Sequence, residues 1–440
     1  MKEKIDRLKQ LFKNPGEFIP EVSRIMNLPA ERVRAVQPGK IFYKPGGNCK
    51  FRVQVLLEGP DGSLQEMGLS GKIYAQGYRE AVSREGQYSD FSAPPVGVPV
   101  GFWPELWAIL WADPNDPDLP ARRIFEDARL FAEFLQQEKS VRAVFSNGAA
   151  ADFRVQRLKY VPGDRAAYLI QHPTTGEKLF VKLSATGDAE RVAFYYRQLS
   201  SCLAIQRNGV SVPRFRFYHP GTRSLWLEAL EGTPLADIWH RVDLAALATR
   251  IGEQLAHFQK CRMAAPLRWT VGTMTARLEE LQQRLSKMSD DIRRSMDGLI
   301  EKLFEDSVLF RSDHPVLLHG SFKLSHVLWD EAAGEIRFID LDGVCRGDAE
   351  YDVGRFLAHL LKLRAAGKMS REEFEAIRSR LTTSFAFNHS SLISSEKIHW
   401  YTAAEFLNSQ MFKLIKRQKL KAFQDYLRVA KEFVYHPFSG

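Results

Sequence analysis

The hydrophobic pattern of this chain changes from strand-like to helix-like near residue 241, and this change constrains the fold more than any other feature. Before it, β-favouring runs flank turn sequences such as GPDG, which is the composition of hairpins. After it, apolar residues recur at helical spacing, as in DLAALATRIGEQLAHFQ. One β-rich stretch, residues 315–341, interrupts the helical half. The pattern predicts a bilobal α+β fold in which a small β-rich lobe precedes a larger helical lobe.

Two of the hairpins resemble each other. Four positions of the first recur 117 residues later in the second, as the pairs Tyr43 and Tyr160, Pro45 and Pro162, Gly46 and Gly163, and Gln54 and Gln171. Each hairpin ends on a lysine with apolar neighbours, Lys72 or Lys182. Tandem duplication of a small β-lobe would explain the similarity, and so would chance. We therefore expect an additional α/β module before the second hairpin.

Length and composition indicate a globular protein. The chain has 440 residues, of which 45% are apolar and 26% charged, and this length predicts two or three modules. No run of about 18 apolar residues occurs, and the start, MKEKIDRLKQLF, is charged rather than signal-like. We expect a cytoplasmic protein. Its four cysteines lie far apart without a CxxC pair, so buried thiols are expected rather than a disulfide framework or a zinc site.

The net charge of +9 favours acidic partners, and nucleic acid, anionic lipid and nucleotide all qualify. A solvated basic surface would give the same count. The positive charge is spread along the chain, and no arginine-rich or RNP-like motif accompanies it. Nucleic acid is therefore not expected as a partner.

The β-rich interruption contains the residues with the clearest chemical character. The segment VLLHGSFKLSHVLWD is followed by GEIRFIDLDG, which puts Asp340 and Asp342 on alternate positions after an apolar run. If the strand continues, both carboxylates start on one of its faces. One of them would bind Mg²⁺ while the other lies nearby or close to a substrate. In a purely structural interpretation, both would accept hydrogen bonds in a turn.

These segments resemble the aminoglycoside phosphotransferase and choline kinase group, whose loop reads HGDxxxxN and whose next strand gives ID. The resemblance lies in HGSFKLSHVLW, in IDLDGVCRGDAEYDVGRFLAHL and in LWLEALEGTPLADI, which is similar to the family's hinge. It covers roughly residues 150–435. It implies a protein-kinase-like fold with an N-lobe at 149–231 and a helical C-lobe at 232–440. The residues before it, 1–148, are then expected to form the additional N-terminal α/β module. It also implies ATP as donor, Mg²⁺ as cofactor and a small hydroxylated acceptor.

In the C-lobe, the resemblance assigns three roles. His319 would brace the loop, Asp340 would hold Mg²⁺, and Asp352 would hydrogen-bond the loop backbone from the following helix.

In the N-lobe, phosphoryl transfer requires a cation on the phosphates. The resemblance gives this role to Lys182, with Glu190 as its ion-pair partner, and it places Glu228 and Leu230 beside the adenine. A lysine near the end of a strand can also simply face solvent.

Two residues depart from the family pattern. Ser321 stands where the family has its catalytic aspartate, and His326 stands where it has an Mg²⁺-binding asparagine. Serine cannot hold a negative charge at neutral pH, and loss of a general base lowers a rate by ~10²–10⁴. Lys323 and Asp342 would compensate in part at the transferred group. His326 would either offer a nitrogen to a metal or pack in the loop.

Two hypotheses for function follow. In the first, the protein is an ATP- and Mg²⁺-dependent phosphotransferase with an altered catalytic loop. In the second, it is a pseudokinase, a nucleotide-binding or protein-interaction scaffold whose N-terminal module supplies the surface for a protein partner. The sequence does not identify the acceptor.

Overall fold

The computed structural model describes all residues except 44–46, 60, 84–87, 139–152, 173, 203–204, 206–208, 287, 289, 313, 390–391, 417–418 and 436–440. The chain forms two compact units. The first consists of Met1–Ala193 and Arg216–Ala229, and the second of Phe194–Phe215 and Leu230–Gly440. The predicted module boundary at residue 148 lies outside the described residues. Of the helices that the structure describes, none has the length and apolarity needed to cross a membrane.

The first unit opens with two helices that cover a sheet. In the second strand of this sheet, residues alternate between buried and partly buried, as expected of a strand with one face on a core. Phe51 on that face packs against Phe12, while Phe18 stacks on Trp103. The sheet order is β1-β2-β3-β5-β4. The elements are α1 (Lys2–Lys13), α2 (Pro15–Met26), β1 (Val33–Tyr43), β2 (Cys49–Glu58), β3 (Leu64–Ile73), α3 (Tyr78–Val82), β4 (Val100–Trp103) and β5 (Ala108–Ala112).

The second sheet of this unit repeats the strand order of the first, as β6-β7-β8-β10-β9. In both sheets the third strand carries the lysine noted above, Lys72 or Lys182, and a helix follows it. Chance similarity of two single hairpins would not reproduce this order, so the shared order supports duplication of the β-lobe. Pro45 and Gly46 of the sequence match lie outside the described residues. The elements are α4 (Arg122–Glu126), α5 (Ala128–Gln137), β6 (Arg154–Val161), β7 (Arg165–Gln171), β8 (Lys178–Ser184), α6 (Asp188–Ser200), β9 (Phe215–His219) and β10 (Ser224–Glu228).

Charged side chains from the segment after β5 bind residues of both sheets. Asp113 accepts hydrogen bonds from Arg52 of β2 at 3.0 Å and from the fully buried Arg122 at 2.8 Å. Asp116 accepts one from the Tyr160 hydroxyl of β6 at 2.7 Å. A buried charge that loses its partner is strongly destabilising. These contacts therefore fix the two sheets of the first unit to each other.

Lys72 takes part in the same connection. Its Nζ lies 2.8 Å from Oδ2 of Asp118, and its side chain is 13% exposed. Beside it, Lys50 donates a hydrogen bond to the carbonyl of Gly163 at 2.8 Å. The lysine of the first sheet is thus bound in an ion pair between the two repeats.

The second unit is mostly helical and contains two small sheets, ordered β11-β14-β15 and β12-β16-β13. Helix α11 is its central helix, since most of its residues are buried. The strands are β11 (Thr233–Pro234), β12 (Leu267–Trp269), β13 (Val316–Leu318), β14 (Val327–Asp330), β15 (Glu335–Phe338) and β16 (Cys345–Gly347). The helices are α7 (Leu235–Ile238), α8 (Leu244–Gln259), α9 (Val271–Leu285), α10 (Asp290–Ser307), α11 (Glu350–Ala365), α12 (Arg371–Asn388), α13 (Ser395–Glu405), a π-helix (Phe406–Met411), α14 (Phe412–Lys416) and α15 (Leu420–Tyr435).

The expectation of four buried thiols was wrong for one pair. Cys202 and Cys261 form a disulfide, with Cα atoms 6.1 Å apart and a separation of 59 positions in sequence. Cys49 and Cys345 are buried free thiols, as expected. No local spacing of the cysteines predicts this disulfide, because the fold brings together the chain just after α6 and the chain just after α8.

Candidate functional site

The loop that follows β13 can be built only with glycine at its second position. Gly320 has φ +73°, a left-handed conformation that side chains disfavour. A Cβ on this residue would lie 2.1 Å from the carbonyl oxygen of Gly343. A Cβ on Gly343 would in turn lie 3.3 Å from Oγ of Ser321. The loop and the turn at Leu341–Gly343 are therefore packed backbone to backbone.

Asp352 holds the start of this loop, as the resemblance implied. Its Oδ2 accepts a hydrogen bond from the His319 N–H at 2.7 Å, and its Oδ1 accepts one from the Gly320 N–H at 2.9 Å. The side chain lies in the first turn of α11 and is fully buried. Burial raises the pKa of Asp352 to about 7, against the opposing effect of the two backbone N–H groups. The predicted role of Asp352 is confirmed.

His319 lies inside the loop with no exposed surface. Its Nε2 is 2.9 Å from the carbonyl oxygen of Ile339, and its ring packs near Phe322 and Phe258. Burial, with a smaller effect from His326, lowers the pKa of His319 to about 3. The imidazole is therefore neutral at physiological pH and connects the loop to the chain that follows β15.

Ser321, His326 and Asp340 form a chain of polar contacts. The Ser321 Oγ lies 3.3 Å from Nδ1 of His319 and 3.4 Å from Nδ1 of His326. On the other side of its ring, His326 Nε2 lies 3.0 Å from Oδ2 of Asp340. His326 is 8% exposed and Asp340 is 44% exposed. The structure thus brings together the two departures from the family pattern and the predicted metal ligand.

The sequence suggested that Asp340 and Asp342 are placed by strand geometry, but the structure differs. Strand β15 ends at Phe338, before either of them. Asp340 has φ 62°, and Asp342 lies in a short 3₁₀ turn at Leu341–Gly343. Alternation along a strand therefore does not determine where their side chains point. Instead, the Leu341 N–H donates to the Tyr196 hydroxyl at 3.0 Å, which anchors this turn to α6.

Lys323 lies in the extended residue before a 3₁₀ turn that ends at His326. The His326 N–H donates to the Lys323 carbonyl at 2.8 Å, which closes the loop on itself. The positive charge of Lys323 is close enough to His359 of α11 to help lower the pKa of that histidine to about 2, after the larger effects of burial and Arg355. Lys323 thus contributes positive charge to the surroundings of α11.

Sequence reasoning missed two polar residues, His359 and Gln410, the first of which lies close enough to Lys323 to feel its charge. His359 lies on α11, and its Nε2 is 3.4 Å from Nε2 of Gln410. Gln410 belongs to the π-helix, a rare element that often marks functional sites. The sequence signal was a polar cluster, NSQ, between the apolar pairs FL and MF.

The remaining predicted residues lie mainly in the first unit. Lys182 is partly buried in β8, opposite Leu225 of β10. Glu190 is exposed in the first turn of α6, and Glu228 is the last residue of β10. Leu230 is the first residue of the second unit after that strand. The hinge segment is therefore where the chain passes from one unit to the other, while the Lys182–Glu190 ion pair stays a prediction.

The donor set fits Mg²⁺ only in part. Asp340 offers a carboxylate, but His326 offers a nitrogen where the family pattern has an amide oxygen. Mg²⁺ takes oxygen ligands in a near-octahedral arrangement. Among the described residues, no group of three or more His, Cys, Asp or Glu side chains is arranged to hold a metal ion. A metal bound at Asp340 would need further ligands from other groups. Of the two protein groups here, the nitrogen of His326 does not suit Mg²⁺.

Comparisons with known proteins give the family. The family model described as the phosphotransferase enzyme family matches residues 158–377, which is half of the chain. No curated protein matches the chain. Similar solved structures include a choline kinase from Cryptosporidium parvum, with 11% identity, 71% of this chain and 97% of that chain covered and a TM-score of 0.48.

Two further solved structures are similar at the same low level of identity. One is an ethanolamine kinase from Plasmodium vivax, with 10% identity, 71% and 90% coverage and a TM-score of 0.44. The other is the aminoglycoside phosphotransferase APH(3'')-Id from Streptomyces rimosus, with 15% identity, 62% and 98% coverage and a TM-score of 0.37. The predicted resemblance and the bilobal, kinase-like α+β fold class are confirmed by the family match. This chain belongs to the phosphotransferase enzyme family.

Proposed function

We propose that this protein is an ATP-dependent phosphotransferase that acts on a hydroxyl group of a small acceptor through an altered catalytic loop. The observation that carries the proposal is the loop itself. Asp352 fixes its backbone through two hydrogen bonds, and the loop brings His326 to 3.0 Å from Asp340. A loop held in this way supports positioning and charge neutralisation, which supply most of the catalysis of phosphoryl transfer.

Nucleotide binding is assigned to residues of the β8 and hinge segments. Lys182 would contact the phosphates, with Glu190 fixing its position, and Glu228 and Leu230 would lie along the adenine. Support comes from the location of Lys182 on the third strand of the second sheet and from the family match, which includes all four residues. A divalent metal, when bound, would neutralise charge on the phosphates. Asp340 would be its carboxylate ligand.

The loop does not use Ser321 as a general base in this proposal. A neutral hydroxyl has no basic oxygen comparable to a carboxylate, and the Ser321 Oγ is already in contact with two imidazoles. In its place, Asp342 would accept the acceptor's proton; support comes from its neighbour Gly343, where a Cβ would lie 3.3 Å from Oγ of Ser321. Lys323 would stabilise the charge of the transferred group. We expect slow turnover, because the base lies outside its usual position in the loop.

One observation favours a second candidate function. The position of the family's catalytic carboxylate holds a serine that lies in hydrogen-bonding range of His319 and His326. A loop used only for structure would look the same. In that case the protein is a pseudokinase that binds nucleotide without transfer, and the additional N-terminal sheet would supply the surface for a protein partner.

The experiment uses the full chain, calorimetry of ATP binding with and without divalent metal, and phosphorus NMR of the same sample. We expect ATP binding that depends on metal in the wild type and loses that dependence in Asp340→Ala. Asp425→Ala, on an exposed face of α15, is the matched control and should leave binding unchanged. Ser321→Asp should raise turnover, because it restores a carboxylate at the family's position.

Each result decides between the candidates. Phosphate release or transfer that Asp340→Ala abolishes supports the phosphotransferase. Nucleotide binding without turnover in the wild type and in Ser321→Asp supports the pseudokinase. Absence of nucleotide binding in every form rules out the phosphotransferase and leaves a protein-interaction scaffold.

A further inference from the structure

The turn between β6 and β7, residues 162–164, is held by the part of the chain that carries the first sheet. Gly163 has φ +57° and lies in the middle of this turn. Its N–H donates to Oδ2 of Asp116 at 2.7 Å, and its carbonyl accepts from Nζ of Lys50 at 2.8 Å. Asp116 is 1% exposed and also accepts from the Tyr160 hydroxyl. Residues of the N-terminal module thus bind both polar groups of Gly163.

The turn also packs tightly against its neighbours. A Cβ on Gly163 would lie 2.5 Å from Oδ2 of Asp118 and 3.4 Å from Nζ of Lys50. On the other side, the carbonyl of Asp164 accepts from the N–H of Ala185, just after β8, at 2.9 Å. The turn is therefore fixed from the first sheet and from its own sheet.

The location of this turn connects it to the nucleotide. In protein kinases, a glycine-rich loop covers the nucleotide phosphates, and the lysine that binds them lies on the third strand of the N-lobe. Here Lys182 lies on β8, the third strand of the second sheet, and pairs with Ala167, three positions after Asp164. At about 3.3 Å per residue, the turn lies roughly 10 Å from Lys182 along the sheet. The turn that the N-terminal module holds is thus the one next to the phosphate-binding lysine of the proposed function.

The contacts of Gly163 decide how this turn can contribute. A backbone N–H is a single donor, and that of Gly163 is directed at the buried Asp116 carboxylate. It is therefore not available to a phosphate oxygen, and the turn acts through its position. A loop that is ordered before its ligand arrives loses little conformational freedom on binding, and this increases affinity.

We propose that Lys50 and Asp116 of the N-terminal module are positioning residues for nucleotide. They fix the β6–β7 turn beside the phosphates before ATP binds, and they thereby increase the affinity for ATP. This role rests on the nucleotide site proposed above. It gives this edge of the first sheet a partner within the same chain, the hairpin that leads to Lys182.

Two lysines of the first sheet provide a matched test. Lys50 and Lys72 lie directly opposite each other on β2 and β3. Lys50→Met and Lys72→Met each remove one positive charge between the two sheets, but only Lys50 binds Gly163. Calorimetry of the full chain is carried out with a non-hydrolysable ATP analogue and with adenosine.

We expect Lys50→Met to weaken binding of the ATP analogue about tenfold, which corresponds to about 1.4 kcal/mol. Its affinity for adenosine should be unchanged, because adenosine has no phosphates beside the turn. Lys72→Met should leave both affinities unchanged. A merely structural effect of Lys50 would change the two ligands alike.

Hydrogen exchange of the turn gives a readout in the wild type, which does not depend on whether a variant folds. Amides that are already ordered exchange slowly. The wild-type turn should exchange slowly without nucleotide, and the ATP analogue should change this little. In Lys50→Met, the turn should exchange faster, and the ATP analogue should slow it.

A wild-type turn that becomes protected only with nucleotide overturns the proposal. Equal affinity of Lys50→Met and Lys72→Met for the ATP analogue overturns it as well, and so does tighter binding by Lys50→Met, which would make the contact autoinhibitory. The expected loss of affinity without any phosphoryl transfer in the wild type would refute the phosphotransferase and leave the positioning role standing. Transfer with equal affinities would do the reverse, and a wild type that binds no ATP would refute both.

Discussion

The Oδ1 atom of Asp352 lies 2.9 Å from the backbone nitrogen of Gly320, although the two residues are 32 positions apart. This contact couples the first turn of α11 to the loop after β13. It orients the backbone that carries Ser321 and leads to His326. The site therefore depends on a carboxylate that accepts hydrogen bonds from two backbone N–H groups.

Asp352→Asn should destabilise the protein and disturb the loop. The amide has one acceptor oxygen, so one of the two buried N–H groups loses its partner, which destabilises by about 1–3 kcal/mol. Urea unfolding followed by circular dichroism measures the change. Asp425→Asn, at an exposed position, should stay within about 0.5 kcal/mol of the wild type. Equal unfolding midpoints for the two variants would contradict the role given to Asp352.

Gly320→Ala should destabilise the protein far more than Gly367→Ala. Both glycines have positive φ, +73° and +66°, so both variants carry the conformational strain of a left-handed residue, about 1 kcal/mol. Only at Gly320 would the new Cβ also lie 2.1 Å from a carbonyl oxygen, that of Gly343, whereas no atom lies within 4 Å at Gly367. Thermal unfolding of the pair isolates this steric effect. Similar losses in both variants would contradict the close packing of loop and turn.

Lys72 and Lys182, the equivalent lysines of the two sheets, should contribute to different properties, Lys72 to stability and Lys182 to nucleotide binding. Lys72→Met removes the ion pair with Asp118. It should lower the free energy of unfolding by at most about 1.5–3 kcal/mol, because Asp118 is 32% exposed and solvent screens the pair. It should leave nucleotide affinity unchanged. Lys182→Met should weaken nucleotide binding with a smaller effect on stability. Unfolding and ATP calorimetry on both variants test this division, and an exchange of the two phenotypes would refute it.

Stability should depend on pH through His319. Its pKa is lowered from 6.5 to about 3 in the folded protein, so below pH 6.5 the unfolded chain binds a proton that the folded protein does not. The contribution of His319 to the free energy of unfolding should therefore fall as pH decreases from 6.5 toward 3, by about 1.4 kcal/mol per pH unit. Asp352, whose pKa is raised to about 7, contributes with the opposite sign in this range.

His319→Asn isolates the histidine contribution, because it keeps the backbone N–H that binds Asp352. The variant should be less stable at pH 7, and its stability should fall less steeply than that of the wild type between pH 6 and pH 4. Urea titrations at a series of pH values give both slopes. Parallel slopes would show that His319 is protonated alike in the folded and unfolded chains.

The local pattern of apolar residues was sufficient to predict much of the fold. Alternating burial in Cys49–Glu58 and helical spacing in Leu244–Gln259 follow from the positions of apolar residues alone, since one face of each element must be buried. The repeat was visible because equivalent strands need equivalent turn and strand residues. The resemblance to the family also implied Asp352 as the residue that holds the loop. These features depend on neighbours in sequence or on a motif of fixed order.

Contacts between distant segments could not be predicted in the same way. The sequence suggested that Asp340 and Asp342 share one face of a strand, but the strand ends before them and the turn sets their direction. Nothing local pairs Cys202 with Cys261 or Lys72 with Asp118, because packing of separate elements creates both contacts.

The sequence by itself determined which residues occupy the loop, including the serine and histidine that depart from the family pattern. Only the tertiary structure decided what those residues do to one another. Packing places the Ser321 Oγ 3.3 Å from Nδ1 of His319 and 3.4 Å from Nδ1 of His326, and it places Nε2 of His326 3.0 Å from Asp340. A hydrogen bond or an ion pair forms only where the two groups come within about 3–3.5 Å of each other. That distance is a property of the packed chain and is not encoded in residue order.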